Sequence, residues 1–136
     1  LVTDFKAYEN LIFGYHHQDP FSKSSILQEK KILSFSKKVM EEYDVRPNSP
    51  NLITSNFSGG NQQKIILSRE LNEKPKVLLV GQPTRGVDIG AIEFIHQRLI
   101  DMRDKGAAIL LVSVELEEVL SLSDRIVVMF DSIFFI

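Results

Sequence analysis

The chain has 136 residues, 43% of them hydrophobic and 25% charged, with a formal net charge of −2 at pH 7. That balance fits one globular domain and argues against a nucleic-acid partner or a disordered acidic tail. Without cysteine it excludes a disulfide framework, a thiolate metal site and a cysteine nucleophile, and no apolar run approaches the roughly 18 residues of a membrane-crossing helix. The first residues show no signal-peptide pattern and no initiator Met, so the chain is expected to be an internal piece of something longer.

Residues 1–57 read as helical and loop-like. Leu11, Ile12 and Phe13 form a short apolar cluster ended by Gly14, with Phe13 expected in the core. Residues 15–24 are polar, hold Pro20 and predict a loop. Ser25 and Gln28 match a capping box ahead of a helix whose buried face is Ile32, Phe35, Val39 and Tyr43, at spacings of three and four. Pro47 and Pro50 stop it.

Residues 58–136 alternate helix and strand. Ser58-Gly59-Gly60 leads into a helix ending near Asn72, and Val77–Val80 is a short buried strand. Residues 81–86 form a loop, and Asp88 can cap a helix carrying Ile92, Ile95, Leu99 and Met102, stopped by Gly106. Ala107–Val112 predicts a second strand, Ser113–Leu122 a short acidic helix, Ile126–Phe130 a third strand, and Ile133–Ile136 a fourth after a turn at Asp131-Ser132. Wholly apolar strands separated by helices predict an α/β fold with a parallel sheet covered on both faces.

Three stretches carry a family resemblance. Phe57-Ser58-Gly59-Gly60-Asn61-Gln62-Gln63-Lys64 resembles the signature motif of ATP-binding cassette (ABC) proteins, with Phe57 where Leu is usual. Val77–Val80 with Gly81-Gln82-Pro83-Thr84-Arg85-Gly86-Val87-Asp88 resembles the Walker B strand and D-loop. Residues 110–129 resemble the switch strand, its helix and the last core strand. The chain therefore resembles the C-terminal part of an ABC nucleotide-binding domain. The resemblance implies a partial P-loop NTPase (RecA-like) sheet with flanking helices over 58–136, preceded by the ABC helical subdomain over 1–57. It resembles the second cassette of bacterial sugar or nucleoside importers, and residues 90–96 incline toward nucleosides.

The signature has its own physics. Two glycines let backbone N–H groups approach an anion, the helix after them points its positive end there, and Ser58 adds a hydroxyl donor. The resemblance implies that Ser58, Gly59, Gly60, Asn61 and Gln62 touch a nucleotide held by a partner cassette. No G-x-x-x-x-G-K-[ST] loop occurs in this chain.

Departures from the family are specific. The Walker B carboxylates, which hold Mg²⁺ and polarise water, are replaced by Gly81 and Gln82, and the switch histidine falls on Val114. Losing a general base costs about 10²–10⁴-fold in rate. The alternative is a shifted register with Asp88 or Asp124 as metal ligand, which breaks the match of Gln82-Pro83-Thr84 and of Asp88 on the D-loop aspartate. No residue of this chain is otherwise assigned to a metal. Arg85 lies in the D-loop, either crossing to a partner or an ordinary surface arginine. His16-His17 lacks a third ligand at useful spacing. His96 reads as a structural helix residue, and Glu115, Glu117 and Glu118 as residues favoured by a helix dipole.

The expected function is that of an importer's ATP-hydrolysing subunit on the cytoplasmic face of the membrane, contributing a signature to a composite site while its own site is degenerate. The implied cofactor, in the intact protein, is ATP with Mg²⁺. The implied partners are a second cassette, permease subunits touching residues 1–57 (Tyr8, Phe13, Tyr15 and Phe21 as candidates) and, indirectly, a solute-binding protein. The alternatives are a catalytically dead interaction module or a non-transport ABC ATPase.

Overall fold

The computed structural model describes residues 1–130 and 133–135. In chain order these form α1 (Ala7–Leu11), β1 (Ser22–Lys23), β2 (Ile26–Leu27), α2 (Glu29–Glu42), α3 (Gly59–Asn72) and β3 (Val77–Gly81). They continue through α4 (Ile89–Asp104), β4 (Ala108–Val112), α5 (Leu116–Leu122), β5 (Val128–Phe130) and β6 (Ile133–Phe135). One 3₁₀ turn, Thr54–Asn56, precedes α3.

The amphipathic pattern of 26–43 folds into a shorter helix than the sequence suggests. Ser24 and Ser25 both take positive φ, 50° and 63°. They form a two-residue turn between β1 and β2, which pair with Lys23 opposite Ile26. Two positive φ values suit the right-handed twist of a hairpin, so Ser25 is a turn residue and the expected capping box does not form. Gln28 stands at the N-cap of α2 without a side-chain cap bond. Of the expected apolar face, Ile32, Val39 and Tyr43 are buried and Phe35 is partly buried; Met40, outside that expected set, is buried as well.

A single core joins the halves of the chain. Ala7 and Leu11 of α1 and Val39 and Met40 of α2 pack in one cluster with Ile65 of α3, Leu78 of β3 and Ile95 and Leu99 of α4. Buried Asn10 is fully engaged: its amide donates to Val2 O and Thr54 Oγ1, both at 2.8 Å, and its carbonyl accepts from the Val2 N–H at 2.9 Å. Unpaired, such a group would cost about 1–3 kcal/mol; paired, it fixes α1 against residues 52–54. A smaller cluster gathers Ile12, Phe21 and Ile32 with Tyr8, Tyr15 and Phe35.

Strands β3 and β4 run parallel in register from Val77↔Ala108 to Gly81↔Val112, with α4 as the crossover. The parallel α/β unit is thus present. The third and fourth expected strands do not extend it: β5 pairs antiparallel with β6 in a separate ribbon. The expected turn at Asp131-Ser132 and the end at Ile136 lie outside the described residues. The sheet is also covered on one face only. Leu78 is buried and Val80 and Ile109 pack against the core, whereas Val77, Leu79, Leu110 and Val112 on the other face are 57–74% exposed. Alternation along a strand explains this: α3 and α4 lie on one side, and none of the described residues cover the other.

Candidate functional site

The loop before α3 is fixed from inside. Phe57 is buried in the main core, so the chain enters α3 at Ser58 from an anchored point. Ser58 is the N-cap, in extended backbone, and its Oγ accepts from the Asn61 N–H at 3.4 Å and the Asn61 Nδ2 at 2.9 Å. Gln62 turns back, donating from Nε2 to Phe57 O at 2.9 Å. The N–H groups of Gly59 and Gly60 meet no protein acceptor among the described residues. No acidic side chain stands in the first turn of α3. Free donors at the positive end of a helix make an anion-receptive point.

The two glycines differ. Ser58 and Gly59 are exposed, but Gly60 is buried against the start of α4. A methyl group on Gly60 would lie 3.0 Å from Asp88 Oδ2 and 3.1 Å from the Ala91 Cβ; one on Gly59 would lie 3.3 Å from Gly86 O. The α3 N-terminus and the 82–88 loop are therefore in contact. Asp88 is the expected cap of α4, its Oδ1 accepting from the Ala91 N–H at 2.9 Å. Arg85 is exposed and makes no ion pair among the described residues.

The carboxyl ends of β3 and β4 bring three further positions together. Gly81 pairs with Val112, and the Gln82 N–H donates to Val112 O at 2.8 Å, so Gly81 and Gln82 lie beside the segment leading to Val114. Gln82 has φ of 50°, a left-handed conformation uncommon for a residue with a side chain. A Cβ on Gly81 would meet nothing within 4 Å, so packing among the described residues does not enforce glycine there. Val114 is exposed. Asp88 and Asp124 belong to no cluster of three or more metal-ligating side chains among the described residues, nor do His16 and His17, whose rings sit edge to face.

Two sequence expectations change. Phe13 is half exposed and packs edge-on against Phe5, whereas Phe21, named as a contact candidate, is buried. Glu118 stands in the first turn of α5, as the dipole reading has it, but its side chain is also buried, 3% exposed, and its Oε1 lies 3.0 Å from His96 Nε2, joining α5 to α4. The pair is 22 residues apart, so no local pattern announces it. Sequence reasoning also missed the loop after α2. There Asp44 accepts from Arg46 Nε at 2.7 Å and from Lys64 Nζ at 3.3 Å, and the Arg46 N–H donates to Asn61 Oδ1 at 2.7 Å. The Arg46 and Lys64 hydrogen bonds hold the Asp44 carboxyl below the usual carboxylate range.

A parallel β-α-β unit with a Ser-Gly-Gly helix start packed on the loop after β3 defines the class. Over 96% of its length the chain is homologous to import ATP-binding proteins of the ATP-binding cassette class. It is 47% identical over 131 residues, 96% of its length, to the nucleoside import ATP-binding protein NupA of Lactococcus lactis subsp. cremoris. Identity is 44% with the guanosine import ATP-binding protein NupO of Bacillus subtilis over the same share of the chain. It is 38% over 129 residues, 95% of the chain, with a ribose import ATP-binding protein, RbsA, of Streptococcus agalactiae. The chain spans 26% of the length of each of these relatives. No family model matches.

Among solved structures, a nucleotide-free ATP-binding cassette from an ABC transporter is similar with a TM-score of 0.76 at 23% identity, over 98% of this chain and 55% of that one. An ATP-binding cassette in its ADP conformation gives 0.72 at 22% identity, over 98% and 54%. These likenesses establish the P-loop NTPase fold.

Proposed function

We propose that this chain is a segment of the ATP-binding subunit of an importer, with residues 1–57 as the helical subdomain and 58–136 as the signature helix and part of the RecA-like core. Its working element is the α3 N-terminus. Ser58, Gly59 and Gly60 face the phosphates of an ATP held by a partner cassette, with Asn61 and Gln62 shaping that end and Arg85 and Asp88 beside it at the cassette interface. The observation that carries this reading is the start of α3, where Ser58 and Gly59 are exposed and the N–H groups of Gly59 and Gly60 meet no acceptor among the described residues. Donors fixed before the reaction stabilise charge on a transferring phosphoryl group without reorganising.

The chain's own site is degenerate in this reading. Gly81 offers no carboxylate to Mg²⁺, Gln82 orients water without accepting its proton, and Val114 cannot hydrogen-bond a phosphate. These residues do not fit a metal-dependent hydrolytic centre, so ATP and Mg²⁺ act at the partner's site. The partners are then a second cassette, permease subunits meeting residues 1–57 with Tyr8, Phe13 and Tyr15 on the contact side, and a solute-binding protein acting through the permease. The location is the cytoplasmic face of the membrane; no helix among the described residues is long and apolar enough to cross it. Higher identity with nucleoside than with ribose import proteins favours a nucleoside as solute.

In the full-length protein assembled with its permease, Ser58→Arg should reduce MgATP turnover by at least about a hundredfold, the scale of losing a fixed transition-state donor. Gln82→Glu should change it by much less. The opposite ranking would mean that hydrolysis runs at this chain's own Walker B positions. Absence of turnover in the intact parent would favour the second reading, an interaction module, which the losses at Gly81, Gln82 and Val114 support.

A further inference from the structure

We propose that Asn61 is a positioning residue: it makes the Ser58 hydroxyl an outward donor and couples that orientation to the loop after α2. The inference rests on the reading of Ser58 as a phosphate-facing group.

The hydrogen bonds leave one arrangement. The Arg46 backbone N–H lies 2.7 Å from Asn61 Oδ1, and an N–H only donates, so the amide oxygen must face Arg46. The other amide atom, Nδ2, then faces Ser58 Oγ at 2.9 Å and can only donate. The Asn61 N–H also points at that oxygen, at 3.4 Å. A hydroxyl oxygen has two lone pairs and one proton. With both lone pairs engaged inward, the proton turns away from α3, and Ser58 is exposed with no protein acceptor among the described residues. The hydroxyl thus joins the Gly59 and Gly60 N–H groups as a donor. Were its proton spent on its own helix, Ser58 would present lone pairs to a phosphate and repel it.

The loop that supplies the Arg46 N–H is held a second time, one turn along α3. Lys64 Nζ donates to Asp44 O at 3.0 Å and to Asp44 Oδ2 at 3.3 Å. Lys64 is largely covered and lies 4.9 Å from the Phe94 ring centroid. A displacement of the end of α2 therefore pulls on Asn61 and, through it, on the direction of the Ser58 proton.

A double-mutant cycle on MgATP turnover by the full-length protein with its permease tests this. Ser58→Ala should lower kcat by about a hundredfold and Asn61→Ala by about five- to tenfold, the share expected if misorientation costs part of that donor. The double variant should match Ser58→Ala within about twofold, because Asn61 has nothing left to orient. Multiplied losses would show that Asn61 acts independently, by touching nucleotide or by supporting the fold, and would overturn the proposal. If Ser58→Ala alone leaves turnover unchanged, the signature reading fails and this proposal with it; if Ser58→Ala is impaired and the losses multiply, only the role of Asn61 fails.

Discussion

A methyl group on Gly60 would stand 3.0 Å from an Asp88 carboxylate oxygen and 3.1 Å from the Ala91 Cβ. The carboxylate can swing aside, but the alanine is fixed to the α4 backbone, so the two helix starts would have to separate by a few tenths of an ångström. The sequence suggests that both glycines clear space for an anion; in the structure Gly59 is exposed, whereas Gly60 is also buried against the start of α4. Overpacking costs about 1–3 kcal/mol, while alanine recovers at most about 1 kcal/mol of helix propensity. Gly60→Ala should therefore lower stability by about 1 kcal/mol, read from the midpoint of chemical denaturation at unchanged slope. Equal or higher stability would show that the helices yield freely. Gly81 behaves differently, since a side chain there meets nothing within 4 Å, so packing among the described residues does not impose glycine.

Among the elements, α2 and α3 show how local pattern and tertiary contact divide the work. Spacing alone placed the buried face of α2, whereas its start was displaced by the Ser24-Ser25 turn, a choice between two local motifs that hairpin pairing decides. The link from α2 to α3 is the Asp44 loop, whose carboxyl is held below its ordinary range, first by the Arg46 hydrogen bond and then by that of Lys64. A folded-state value below the unfolded one means that the unfolded chain takes up the proton first as pH falls. The stabilisation is then complete above the ordinary value of about 3.9 and lost as pH drops through the lowered one. Asp44→Asn should flatten the dependence of stability on pH below about pH 4 and leave its shape near neutrality unchanged. Because the carboxylate is half exposed and screened by water, the readout is the slope of the acid limb in pH-dependent denaturation. An unchanged slope would remove Asp44 from the link.

At the scale of the molecule, one core runs through both halves of the chain, while none of the described residues covers one face of the β3–β4 sheet. Val77, Leu79, Leu110 and Val112 present a contiguous apolar surface, and such surfaces bind apolar dyes and drive association. The 136-residue chain should enhance the fluorescence of such a dye in its folded state and associate with rising concentration in sedimentation measurements. A dye-silent monomer would show that the face is covered. Isothermal titration with MgATP should give no micromolar dissociation constant, since the chain holds no phosphate-gripping loop; finding one would contradict action in trans. The sequence by itself determined most of the buried faces of α2 and α4, the Asp88 cap, the parallel strand pair and the resemblance to ATP-binding cassettes, because periodicity, capping chemistry and motif order are local properties. Only the tertiary structure decided that the sheet is covered on one side, that Glu118 is buried against His96, that Gly60 is a packing glycine and that Asn61 engages Ser58 and Arg46. Each of those depends on residues far apart in the chain meeting at a fixed distance, which no local pattern records.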